Sequence, residues 1–115
     1  MSEIKQLTEK IKKFVSDRDW EQFHNPKDLA LSLVLEATEV LEHFQWKKHE
    51  EVEAHAANCK EEIADELADV ACYLFELSDN LKIDLPRAIE TKLAKNALKY
   101  PVSKSKGNIT KYNKL

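Results

Sequence analysis

Two acidic pairs at helical spacing, Glu36-x-x-Glu39 and Glu66-x-x-Asp69, are the residues of this chain best suited to chemistry. Side chains three positions apart share one face of a helix. Each pair adjoins an apolar stripe that must face a core, where a carboxylate costs free energy unless something neutralises it. Divalent metal is the common remedy when four carboxylates converge from two helices. Hard cations such as Mg²⁺ or Mn²⁺ take oxygen ligands and keep coordination sites for water and substrate phosphate. The pattern points towards an enzyme acting on a phosphorylated compound. The plain alternative is a solvated acidic face, since a chain with 21 acidic residues produces Glu-x-x-Glu by chance.

The surrounding residues favour the site. Trp20, Phe23, Trp46 and Tyr73 are able to stack on a nucleobase, an interaction worth about 1–3 kcal/mol per base. Phe23 reads better as core packing. Trp20 differs because it lies in the polar run Asp17-Arg18-Asp19-Trp20-Glu21-Gln22. His24 suits a substrate contact or a loop-closing structural role. Lys92, Lys95 and Lys99 are candidates for phosphate contacts. A di-iron site of the ferritin type needs Glu-x-x-His on two helices. Here the one such motif, Glu21 to His24, precedes a helix, so that site is disfavoured.

Four helices are expected to position these groups. The first spans about residues 2–16, with Ser2 as N-cap and Ile4, Leu7, Ile11, Phe14 and Val15 on one face. Asn25-Pro26 supplies a capping side chain followed by proline at the first helical position. The second helix should then run to about Trp46, carrying Glu36, Glu39 and His43. A third, from about Glu50 to Asn80, has the stripe Ile63, Leu67, Val70, Ala71, Leu74 and Leu77, flanked by Glu62, Glu66, Asp69 and Tyr73. A short connection makes helices two and three antiparallel neighbours, so their acidic flanks can meet. Asp84-Leu85-Pro86 opens the fourth, which ends at Tyr100-Pro101.

The whole chain bounds these readings. Its 115 residues make one domain, expected at 1–102 with a basic, flexible tail at 103–115. One glycine and three prolines leave few turn signals, which argues against a sandwich or barrel and for an all-α fold. A formal charge of −3 gives no general drive towards nucleic acid. Charge is uneven, however: from Thr91 onward there are seven lysines and no acidic residue. Such a segment near an acidic metal centre would suit a polyphosphate. Cys59 and Cys72 form no C-x-x-C pair, and Cys72 reads as a small core residue. No stretch has the length of a membrane span, and the N-terminus has no signal-peptide pattern, so a cytoplasmic protein is expected.

The run Arg18-Asp19-Trp20-Glu21-Gln22-Phe23-His24-x-Pro26-Lys27-x-Leu29 resembles the opening of the dCTP pyrophosphatases, a branch of the all-α, MazG-like nucleotide pyrophosphohydrolases. The resemblance continues through Leu33-Val34-x-Glu36-x-x-Glu39, Phe44-Gln45-Trp46-Lys47 and Glu66-Leu67-x-Asp69-Val70, with Tyr73-Leu74. It closes with Asp84-Leu85-Pro86 and Lys92-x-x-x-Asn96-x-x-x-Tyr100-Pro101, so it covers about Ile4 to Val102. It implies a four-helix bundle assembling as a dimer or dimer-of-dimers tetramer. The activity implied is Mg²⁺-dependent hydrolysis of a nucleoside triphosphate, dCTP or a modified dCTP, to monophosphate and pyrophosphate. By motif position Glu36, Glu39, Glu66 and Asp69 would hold metal, and Trp20 and Trp46 would wall the base with His24 and Tyr73 nearby. Lys92, Asn96 and Tyr100 would contact phosphate or close the pocket. The chain departs from the family at Leu35 and Thr38, where glycine is frequent, and at Asp65, where Glu is frequent. Related enzymes acting on dUTP or phosphoribosyl-ATP are the nearest rivals. A non-catalytic helical interaction module is the alternative of another class.

Overall fold

The structure is a computed structural model that describes residues 2–115. Among the described residues it is helical throughout, as expected: α1 (Glu3–Asp17), α2 (Pro26–Glu42), α3 (His49–Asn58), α4 (Lys60–Asn80), α5 (Leu85–Lys99) and α6 (Val102–Ser105), with single 3-10 turns at Glu21–Phe23 and Tyr112–Lys114. The chain divides into two compact units, one ending at Ile83 and the other running from Asp84 to Leu115.

In the first unit α4 is the hub. α2 packs on it most extensively, with α1 and α3 contributing smaller contacts. The helix starts are those the sequence marks. Ser2 accepts a hydrogen bond from the Lys5 amide at 3.2 Å, and Asn25 accepts one from the Asp28 amide at 3.0 Å ahead of Pro26. Each cap satisfies an amide that the helix itself leaves without a partner. Two helix ends differ from expectation. The last turn of α2 tightens from His43 to Trp46, where the Phe44 and Gln45 amides both donate to the Leu41 carbonyl. The long third helix is broken once, at Cys59, whose backbone (φ −113°, ψ 27°) leaves the helical region. Neither glycine nor proline marks that break. Asn58 and Cys59 are weak helix formers, and hydrogen bonds on either side of Cys59 carry the chain across it.

The interior of this unit is thin. Val15 and Leu29 are its fully buried apolar side chains, with Thr8 and Ser78 as buried hydroxyls that donate to the Ile4 and Leu74 carbonyls. Phe23, expected in the core, is instead 60% exposed. Its position in a one-turn 3-10 helix leaves no second layer to cover the ring. α2 carries apolar residues on more than one face: Leu29 and Leu33 are withdrawn, while Leu31, Val34, Leu35 and Leu41 are exposed. A helix of that pattern is normally covered on both sides.

In the second unit Asp84 caps α5 by accepting from the Arg87 amide. Tyr100 stands edge-on to Tyr112 at 6.0 Å, and the Lys99 ammonium lies 4.7 Å from the Tyr112 ring centre. The lysine-rich end thus has local structure, including a turn at Gly107 with φ +80°, a conformation glycine adopts at little cost.

Candidate active site

The α2–α4 packing brings the four predicted carboxylates within electrostatic reach of one another. Glu36 titrates above the ordinary carboxylate range, first because burial disfavours its charge and then because Glu39, Asp69 and Glu66 repel it. Glu36 and Glu66 are partly withdrawn, whereas Glu39 and Asp69 are exposed. One oxygen each of Glu36 and Glu66 is buried without a hydrogen-bond partner. The Glu66 oxygen lies 2.5 Å from His43 Nε2, within ion-pair range but without hydrogen-bond alignment. Clustered carboxylates of which two oxygens are buried without a hydrogen bond are oxygen donors of the kind a hard divalent cation prefers. Among the described residues no three His, Cys, Asp or Glu side chains are already drawn together as a finished coordination sphere. Their charges and burial fit such an ion; their closure around it is not built in.

Asp69 also borders a largely apolar cavity of about 520 Å³ between α1 and α4, together with Trp20, His24 and Tyr73. Local structure explains how Trp20 arrives there. Asp19 takes a left-handed backbone (φ 55°), which turns the chain sharply after α1. Gln22 secures that turn by donating to the Asp19 carbonyl at 3.0 Å and to its carboxylate at 3.2 Å. Arg18 lies 3.7 Å from the Phe14 ring centre and donates to the Phe14 carbonyl, and Trp20 meets the Phe14 ring edge-on at 5.9 Å. The Arg-Asp-Trp-x-Gln run is thus a device for aiming one indole. Tyr73 titrates above its ordinary range, chiefly through burial and then through Glu36, while a hydrogen bond with Ser32 opposes the shift. Its hydroxyl stays protonated at neutral pH and available as a donor.

Trp46, on the turn after α2, is 86% exposed and does not border this cavity. Lys92 and Asn96 lie on α5 and Tyr100 caps its end, all in the second unit. There Asn96 offers its carbonyl to the Tyr100 amide at 2.8 Å. Cys72 borders the cavity rather than filling a core, and burial followed by Asp69 and Glu76 pushes its thiol up.

Sequence reasoning missed several neighbours. Glu76 pairs with His24 across 52 positions; its signal was the continuation of the Asp69–Tyr73 flank by one more turn of α4. His43 contacts Glu66 through one ring nitrogen and His55 through the other, at 3.0 Å. Cys59 lies 3.7 Å from the far nitrogen of His55. Nothing in the local spacing joins His43 to His55, because a turn and a helix start separate them.

Three comparisons bear on this arrangement. Residues 31–115 match the model of the MazG-like family. dCTP pyrophosphatase 1 of Rattus norvegicus is 45% identical over 104 residues, 89% of this chain, and that of Homo sapiens is 39% identical over the same share. The chain spans 61% of the length of these relatives. The crystal structure of a pyrophosphatase from Archaeoglobus fulgidus superposes with a TM-score of 0.83 at 35% identity, covering 88% of this chain and 94% of that one. The family model covers most of the chain and the fold is shared with that pyrophosphatase, so the chain belongs to the MazG-like family.

Proposed function

We propose that this chain is a divalent-metal-dependent nucleoside triphosphate pyrophosphohydrolase acting on dCTP or a modified dCTP in the cytoplasm, releasing the monophosphate and pyrophosphate. The observation that carries the reading is the position of Asp69, which belongs to the repelling carboxylate set and also borders the cavity holding Trp20. Charge handling and base binding then share one wall. Relatives named for dCTP hydrolysis match along most of the chain and support the choice of substrate.

Glu36, Glu39, Glu66 and Asp69 would hold Mg²⁺, with Mn²⁺ as a substitute. The ion would supply neutralisation of the triphosphate and activation of water. Trp20 offers a stacking face, and Tyr73 and His24 offer polar groups at the same cavity. Trp46, Lys92, Asn96 and Tyr100 are assigned to substrate by their motif positions alone. We place the catalytic domain at 1–102 and assign 103–115 to a basic tail. A homodimer or tetramer would cover the exposed leucines and valine of α2, and no nucleic acid or membrane partner is invoked. Among the described residues no helix is long and apolar enough to cross a membrane.

The test is pyrophosphate release from dATP, dCTP, dGTP, dTTP and dUTP, with Mg²⁺ and with EDTA. Metal-dependent turnover favouring dCTP is expected, and Glu39→Gln and Asp69→Asn should each lower it by about 100-fold or more while leaving the fold intact. Preference for dUTP would reassign the substrate, and phosphoribosyl-ATP assayed alongside the panel tests the other related reaction. Absence of turnover, with no metal-linked gain in Tm, would leave a helical interaction module instead.

A further inference from the structure

His24 Nδ1 and a Glu76 carboxylate oxygen meet in a contact that ties the turn after α1 to the middle of α4. Both side chains are largely withdrawn, at 20% and 12% exposed. The His24 backbone is held as well, since Asn80 Nδ2 donates to its carbonyl at 3.4 Å. The pair borders the cavity that holds Trp20, Tyr73 and Asp69. It also borders a smaller cavity of about 250 Å³, lined by Lys12 and Asp79 among others. An ionised carboxylate only accepts, so the His24 nitrogen facing it carries the hydrogen. In a neutral imidazole the remaining nitrogen, Nε2, is then an acceptor.

We propose that Glu76 is a specificity-determining positioning residue: it holds His24 in the Nδ1–H form, so that Nε2 accepts from the exocyclic amino group of a cytosine base. Uracil places a carbonyl oxygen at that position, which would set two lone pairs against each other. A site that leaves a buried polar group unpaired against the wrong ligand discriminates more strongly than one relying on shape. The inference rests on the cavity being the base site of the reaction proposed above. It assigns the choice of base to α4, outside both acidic pairs.

Two measurements on the full chain test it. In ¹⁵N spectra of the imidazole nitrogens near neutral pH, His24 should show a protonated Nδ1 and an unprotonated Nε2. Glu76→Ala should release this bias. Calorimetric titration with dCMP and dUMP in the presence of Mg²⁺ should show dCMP bound about tenfold or more tightly. Glu76→Ala should remove most of that preference, and Glu76→Gln should keep part of it, since its amide oxygen still accepts from Nδ1. A doubly protonated His24, equal affinity for the two nucleotides, binding of neither, or an undiminished preference in a folded Glu76→Ala chain would each overturn the proposal. Failure to hydrolyse triphosphates with the amino-base preference intact would overturn the proposed reaction and leave this assignment standing.

Discussion

Glu36 concentrates the electrostatic conflict of the site. Its carboxyl is held above the ordinary range by burial first and by Glu39, Asp69 and Glu66 next. A carboxyl with a raised folded-state pKa favours the folded state fully below its unfolded value, and that contribution is lost as pH rises through the folded value. At neutral pH without metal, Glu36 should therefore work against the fold. Glu36→Gln should raise the Tm of the EDTA-treated protein at pH 7.5, and raise it by less at pH 4. The same substitution should abolish the gain in Tm that Mg²⁺ gives the wild type. Thermal melts at both pH values, with and without metal, check this. A Glu36→Gln chain that melts lower than wild type at pH 7.5 would show that the carboxylate is satisfied within the protein.

At the scale of elements, the proposed activity rests on the registry of α2 against α4 and on the turn that presents Trp20. Asn25 fixes where α2 begins: it caps the Asp28 amide and its side-chain nitrogen reaches the Asp28 carboxylate at 2.6 Å. Asn25→Ala should cost about 1 kcal/mol, read as a lowered urea midpoint with an unchanged slope. Turnover should fall less than stability does, because Glu36 and Glu39 lie three turns further along. A fall of 3 kcal/mol or more would mean that the cap also fixes the neighbouring His24 segment. These helix starts were legible because capping is local, written as Ser2, Asn25-Pro26 and Asp84 followed by Pro86. The acidic pairs were legible because helical spacing places them. The break at Cys59, the early end of α2 and the exposure of Phe23 were not, since no glycine or proline marks them and Asn58 and Cys59 are only weak helix formers. The His24–Glu76 pair and the His43–His55 contact escaped because they join segments whose approach no periodicity specifies.

At the scale of the molecule, the apolar surface of α2 suits the assembly proposed above. Its turns expose Leu31, Val34, Leu35 and Leu41, of which Val34 and Leu35 are 62% and 65% exposed. The fully buried apolar residues of the same chain are only Val15 and Leu29 among those described. A patch of large aliphatic side chains on a helix that also carries the acidic pair is a feature of surfaces that associate. The occupant we assign is a second copy of the chain, which would place an interface beside the proposed metal ligands. A stable interface of this kind should bury about 1,000 Å² or more in total. Leu35→Lys puts an ammonium into that contact next to Glu36, where it would also quench some of the carboxylate repulsion. In sedimentation at micromolar concentration, the wild type should run as a dimer or tetramer and Leu35→Lys as a lighter species. Activity should fall with assembly, and the fall should lessen as protein concentration is raised. A wild type that sediments as a monomer at every concentration would remove the interface.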